Sequence, residues 1–379
     1  MRGSQRDVMT QPTILVLGCG GIGGILAARL FERGHAVTAV THNPAIADAI
    51  SQRGFVLQDE ATRQTVSGSA VATLPPDPPP FDFVFLATQP PQVEAAARSA
   101  VAHLAPHGAM VCFQNGLCEQ RISAIAGAER TLGAIVAWGG SMLAPGVYER
   151  TSAGGFVVGR LDGATDARLH VLRELLAPIG AVEVTNNLRG ARWSKLAINC
   201  AISSLGTIGG DRLGALIRYR FVRRLALETM TEVVEVARTR GVQLEKISGT
   251  IDLDWVALTD AERTLPGSAT LMAKHALLLA VGAKYRRLRS SMLIAIERGR
   301  EPAVDFLNGE VVSRGRASGA AVPLNARIVE MIRAIARGER RPGVALLREL
   351  YADSRRDLEA PPRAPTGTRH VAASALPPA

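Results

Sequence analysis

The tightest constraint on this chain lies between Pro12 and Asn43, PTILVLGCGGIGGILAARLFERGHAVTAVTHN. Ile14 to Leu17 is a short apolar run bounded by turn residues, which predicts a buried strand. Gly18, Gly20 and Gly23 follow in G-x-G-x-x-G spacing, and Ile22, Ile25, Leu26 and Leu30 recur behind them at helical spacing. Gly34 closes that helix, and Val37 to Val40 reads as a second strand. Strand, glycine turn, helix and strand in so short a span predict a dinucleotide-binding unit. The first glycine permits the sharp turn, the second lets backbone N–H groups approach a pyrophosphate, and the third lets the helix lie close on the strand. The helix N-terminus adds unpaired donors and partial positive charge. Gly18, Gly20, Gly21, Ile22 and Gly23 are therefore candidate cofactor-binding residues.

The end of the second strand bears on which dinucleotide is bound. An NAD site places a carboxylate there to accept from the ribose 2′-hydroxyl. This chain has Thr41, His42 and Asn43, with no acidic residue until Asp48. A carboxylate would repel a 2′-phosphate, whereas a histidine and an amide can donate to one. The expected cofactor is NADP, with His42 and Asn43 beside its phosphate.

At 379 residues the chain is expected to form two domains. Its 47% hydrophobic and 21% charged residues fit a globular protein with ample core. The net charge of +10 comes almost wholly from arginine. The arginines are scattered along helices without a dense basic run, and with 4% aromatic residues a base-stacking platform is poorly supplied. An anionic cofactor and a small anionic substrate account for the charge better than nucleic acid does. No apolar run reaches the length of a membrane span, and MRGSQRDVMTQ lacks the apolar core of a signal peptide. Cys19, Cys112, Cys118 and Cys200 form no C-x-x-C pair and read as reduced, buried thiols of a cytoplasmic protein. No metal-ligand spacing is present, and no metal site is expected.

Further along, Pro44 to Arg53 reads as a helix, Phe55 to Val71 as two or three short strands, and Leu74 to Asp82 as a proline-rich surface loop. Phe83 to Ala87, Gly108 to Phe113 and Thr131 to Trp138 are apolar strands, with a helix from Gln92 to Leu104. The first ends at Thr88-Gln89 and the second at Gln114-Asn115-Gly116, and ligands sit just past such strand ends. Val147 to Arg150 and Phe156 to Gly159 read as a hairpin, Asp166 to Ala177 as a helix, and Asn186 to Gly190 as a hinge. Beyond it strand signals disappear. Arg192 to Leu205, Arg218 to Arg240, Ala269 to Arg298, Val304 to Ala317 and Asn325 to Arg337 carry helical periodicity, and after Asp353 periodicity is lost. The expected fold is α/β: a doubly wound, largely parallel N-terminal sheet followed by an all-α C-terminal domain. The boundaries are a disordered N-terminus at 1–11, a dinucleotide-binding domain at 12–189, a helical substrate and dimerisation domain at 190–352, and a disordered tail at 353–379.

Within Trp193 to Ser203, Lys195, Asn199 and Ser203 fall four residues apart and so share one helix face. They make a polar stripe on an otherwise apolar helix. Such a lysine either snorkels to solvent or faces a cleft, and the pattern alone leaves both open.

Several separate motifs together resemble the ketopantoate reductases (2-dehydropantoate 2-reductases). They are FQNGL at Phe113–Leu117, RWSKLAINCAIS at Arg192–Ser203, VDFLNGEVVSRG at Val304–Gly315 and GAAVPLNARIVEMI at Gly319–Ile332. The resemblance implies a Rossmann-type first domain, a helical second domain and a cleft between them. It implies NADPH-dependent reduction of a 2-oxo acid to a 2-hydroxy acid, with Lys195 giving a proton to the ketone oxygen. It makes Asn199, Ser203 and Ser291 substrate-binding, Gln89 cofactor-binding, and Asn115 a residue between cofactor ribose and substrate. Four positions depart from the family pattern, which usually has lysine at Gln89, glutamate at Ala303, a second asparagine at Ser203 and often an arginine for the 2′-phosphate at His42. A different 2-oxo acid or ketone, or an inactive NADP-binding protein, is the alternative. A homodimer through the helical domain is a further expectation.

Overall fold

The computed structural model describes residues 11–59, 62–246, 251–264 and 267–359. The expectations for 1–10 and for 360–379 lie outside the described residues. Twelve strands run in order: β1 Thr13–Leu17, β2 Ala36–Val40, β3 Phe55–Gln58, β4 Arg63–Val66, β5 Ala70–Val71, β6 Phe81–Leu86, β7 Leu104–Cys112, β8 Thr131–Val136, β9 Gly140–Ala144, β10 Val147–Arg150, β11 Phe156–Gly159 and β12 Val182–Thr185. Eight make one sheet in the order β12-β11-β8-β7-β6-β1-β2-β5, and every pairing in it is parallel except β11 with β8. The strand order reverses between β1 and β6, which opens a crevice at their C-terminal ends.

The first five helices are α1 Gly21–Glu32, α2 Pro44–Arg53, α3 Val93–Ala100, α4 Glu119–Ala126 and α5 Ala167–Leu176. They explain why β1 is apolar from Ile14 to Leu17. Ile14 and Val16 face α1 and α5 through Ile25, Leu26, Leu172 and Leu176. Leu15 and Leu17 face α3 and α4 through Val93, Ala97 and Ile122. A strand covered on both sides has no solvent face for polar residues to occupy.

From Leu188 on, the described elements are helical: α6 Leu188–Gly209, α7 Leu213–Leu216, α8 Arg220–Thr239, α9 Leu253–Val256, α10 Asp260–Thr264, α11 Ala269–Lys284, α12 Ser291–Glu297, α13 Asn308–Ser318, α14 Pro323–Ala336 and α15 Val344–Glu359. The Asn187 side chain caps α6 by accepting from Gly190 N, and Gly210 ends it in the left-handed conformation. Leu188 and Ala191 pack on the sheet with Ile135 and Val157, whereas from Trp193 onward α6 belongs to the core of the bundle. One helix thus joins both halves.

Four sequence expectations are corrected. The hairpin is β9 with β10, turning at Gly146, while Phe156–Gly159 crosses to the large sheet and runs antiparallel to β8. The helix read from Ala269 to Arg298 is two helices, because Ser290 caps a fresh start at α12 and the Leu288 carbonyl turns aside to accept from Leu213 N. The helix from Val304 breaks at Leu307, after a 3₁₀ turn at Ala303–Phe306. Helix α15 continues to Glu359, past Asp353, with Leu346, Leu347 and Leu350 buried. Strand β12 was not anticipated.

A buried polar chain ties the bundle together. Ser204 Oγ donates to Asn308 Oδ1 at 2.5 Å, and Asn308 Nδ2 to Cys200 O and to Asn325 Oδ1. Glu232 on α8 then accepts from Leu324 N, Asn325 N and Asn325 Nδ2 at the start of α14. Burial nonetheless lifts the Glu232 carboxyl from 4.5 to about 7. A raised folded-state value confers stability that is complete below the unfolded value and is lost as pH rises toward the folded one. We therefore expect the urea unfolding free energy to fall by up to about 3 kcal/mol between the two values, and Glu232→Gln to flatten that slope.

Candidate active site

The C-terminal ends of β1, β6, β7 and β8 lie side by side along the sheet. Gly18, just past β1, has φ +101, and a Cβ there would strike the Ala87 carbonyl and Thr88 N at 2.9 Å. At Gly23 a Cβ would sit 1.8 Å from the Gly18 carbonyl oxygen, so only glycine lets α1 lie so close to the turn. Gly20, the N-cap of α1, is different: a Cβ there meets nothing within 4 Å. Open space directly before the first turn of a 12-residue helix is where an anionic group fits against the free N–H donors. Gly21 packs on the Gly140 carbonyl, and Ile22 lies partly buried on the sheet side.

Beyond β2, His42 is exposed, and the Asn43 side chain accepts from Ala45 N at 3.0 Å to cap α2. Its amide nitrogen is the end left to donate outward. Gln89 is exposed at the start of a 3₁₀ turn after β6. Asn115 is exposed after β7, and Gly116 at φ +92 abuts the Phe306 carbonyl of the helical half.

Lys195 reaches this row of strand ends from α6. Its Nζ donates to the Val136 carbonyl, the last residue of β8, at 3.3 Å. The side chain is partly buried rather than snorkelling to solvent. Desolvation, and then the nearby Arg192 charge, pull its pKa down to about 8. One turn on, Asn199 Nδ2 is buried without a hydrogen-bond partner. A buried donor left unpaired costs about 1–3 kcal/mol unless something arrives to accept from it. Ser203, next on the stripe, is partly buried, and its carbonyl accepts from Ser290 Oγ at 2.7 Å. The Ser290 hydroxyl is thereby spent on holding α12 to α6, and Ser291 beside it is exposed in the first turn of α12.

Sequence reading missed the support beneath this stripe. Arg192 is 2% exposed and ion-paired to Glu119, which is 1% exposed. Its Nη1 donates to Gln114 O at 2.8 Å, and its Nη2 to Cys112 O at 2.9 Å and Ala134 O at 3.4 Å. Gln114 is itself buried, with Nε2 donating to Thr88 O and Oγ1 after β6. The available signal was Arg192 one turn before Lys195 on an apolar helix, but nothing in the sequence connected it to Glu119. Among the described residues no group of three or more His, Cys, Asp or Glu is placed to hold a metal. No described helix is long and apolar enough to cross a membrane.

Comparison with known proteins decides the family. The model for ketopantoate reductase PanE/ApbA matches residues 14–163, and that for its C-terminal domain matches 187–336. The chain belongs to the ketopantoate reductase family. It is an oxidoreductase with a Rossmann-type domain followed by a helical one. A 2-dehydropantoate 2-reductase of Pyrococcus horikoshii is 24% identical over 323 residues, covering 85% of this chain and 96% of that one. The crystal structure of a PanE/ApbA family ketopantoate reductase from Ralstonia eutropha superposes with TM-score 0.70 at 24% identity, over 86% of this chain and 99% of that one. D-mandelate dehydrogenase with NADH and anilino(oxo)acetate superposes with TM-score 0.73 at 16% identity, over the same shares.

Gly20 offers a clean test of the crevice in this ketopantoate reductase relative. Because a Cβ there meets no protein atom, Gly20→Ala should leave the melting temperature unchanged. It should weaken binding of a reduced nicotinamide dinucleotide at least tenfold, about 1.4 kcal/mol, as read by fluorescence titration.

Proposed function

We propose that this chain reduces a 2-oxo acid to the 2-hydroxy acid with NADPH, with 2-dehydropantoate the first substrate to try. The observation that carries the reading is Lys195, an amine of pKa about 8 held at the end of β8 with an unpartnered amide donor one turn away. The crevice residues fit a dinucleotide: open space at Gly20 before the α1 donors, and His42 and Asn43 where a 2′-phosphate would lie. A reduced nicotinamide dinucleotide held there by Gly18, Gly20, Gly21, Ile22, Gly23, Gln89 and Asn115 supplies the hydride.

The remaining chemistry belongs to the chain. The Lys195 ammonium donates to the ketone oxygen and gives it a proton as the C–H bond forms at the carbonyl carbon. Lys195 is left as the neutral amine and recovers a proton from water. A donor whose pKa lies near working pH both holds the proton and releases it readily. Asn199 Nδ2 supplies a hydrogen bond to the substrate, and Ser203 and Ser291 border the carboxylate end. Four free, buried thiols suit a reducing, cytoplasmic setting. Exposed Met272 and Leu279 on α11 suit a homodimer through the helical half.

A second reading, a different 2-oxo acid or a bulkier ketone, draws support from Gln89 and Ala303, which are uncharged where the family usually has lysine and glutamate.

Lys195→Ala should lower kcat about a thousandfold while the NADPH Kd is kept; unchanged turnover would defeat the assignment. In the parent, kcat/KM for reduction should hold below about pH 8 and decline above it, because only the protonated amine is active. A separate comparison of cofactors should give NADPH at least a tenfold advantage in kcat/KM over NADH.

A further inference from the structure

We propose that Arg192, held by Glu119, is the positioning residue of this site: it locks α6 to the ends of β7 and β8 and so fixes where Lys195 presents its ammonium. This rests on Lys195 being the proton donor.

The geometry is specific. One guanidinium binds three carbonyls from two segments, Cys112 at the end of β7 with Gln114 just beyond it, and Ala134 within β8. Lys195, three residues further along α6 and therefore on a neighbouring part of the same face, reaches Val136 on that same β8. The Gln114 carbonyl that Arg192 holds immediately precedes Asn115. Three parts of the site, the amine, the Asn115 turn and the β8 terminus, are thus referred to one buried fork. Stability alone does not require this arrangement, since a buried ion pair is commonly replaceable by apolar residues at no loss.

The fork also acts through its charge. A like charge one helical turn away disfavours the protonated amine, and a guanidinium keeps its charge at any working pH. Among the described residues Arg192 is the charged side chain that bears on Lys195 from its own helix. Glu119 stands behind Arg192 on α4, its carboxyl pushed up by burial and drawn back by the guanidinium. The Cys112 thiol, pushed well up by burial, stays neutral. The other polar side chains of the stripe, Asn199 and Ser203, carry no charge.

Arg192→Met alone strands Glu119 and risks misfolding, so the decisive variant is Arg192→Met with Glu119→Leu, which removes both charges together. The probe is acetic anhydride, with acetylation of Lys195 in the full-length chain followed across pH by peptide mass spectrometry. Lys195 is one of only four lysines, which keeps its peptide distinct. We expect its titration to rise by about one pH unit in the double variant. In Arg192→Lys, which keeps the charge but not the fork, the titration should hold while kcat falls at least tenfold with NADPH binding kept. An unshifted Lys195 in a folded, NADPH-binding double variant, or full turnover in Arg192→Lys, would overturn the proposal. The labelling needs no substrate: a parent that titrates as expected yet reduces no 2-oxo acid would refute the proposed function and leave the charge effect of Arg192 standing.

Discussion

Two opposite charges shut away from water, Arg192 and Glu119, set the frame for the rest of this structure. Removing an ion from water costs several kcal/mol even after relaxation, and the pair is tolerated because the carbonyls of Cys112, Gln114 and Ala134 accept from both terminal nitrogens of the guanidinium. Those acceptors cannot be exchanged for water, so α6 cannot slide or rotate against the sheet without breaking several bonds at once. Helix α6 spans 22 residues, about 33 Å. Its first turns lie on the sheet and the rest lies in the bundle, so whatever fixes its start also orients the helical half.

The division of labour between the two basic residues follows from their chemistry. Arginine holds its charge and offers a flat fork of donors, while lysine is a compact charge that burial can persuade to give up a proton. In a chain whose basic residues are nearly all arginine, the position facing the strand ends is lysine, and the position that must stay charged behind it is arginine. Lys274, also buried, stands in contrast. It is neutralised by Glu262 at 2.5 Å and bonded to Ala257 O, away from the crevice, and its work is to hold α11 to α10.

How much of this was legible in the sequence depended on whether the determinant was local. The β1–α1–β2 unit was readable nearly to the residue, because apolar runs and glycine spacing are properties of adjacent positions. Lys195 and Asn199 were readable as a stripe, but whether the stripe met solvent or a cleft was not, since that depends on β8 lying sixty residues earlier in the chain. Phe156–Gly159 has the pattern of a hairpin strand, and only its pairing with β8 assigns it to the large sheet. The break at Ser290 was hidden because its hydroxyl caps α12 only where α6 and Thr207 hold it in place. Arg192 and Glu119 are 73 positions apart and meet solely through the fold.

The unpartnered Asn199 amide has a consequence for selectivity. In the proposed reaction, where Asn199 Nδ2 donates to the substrate, a guest of equal size lacking an acceptor at that point would leave this buried donor unpaired. A site so built turns away deoxygenated isosteres far more sharply than it separates neighbours differing by a methylene.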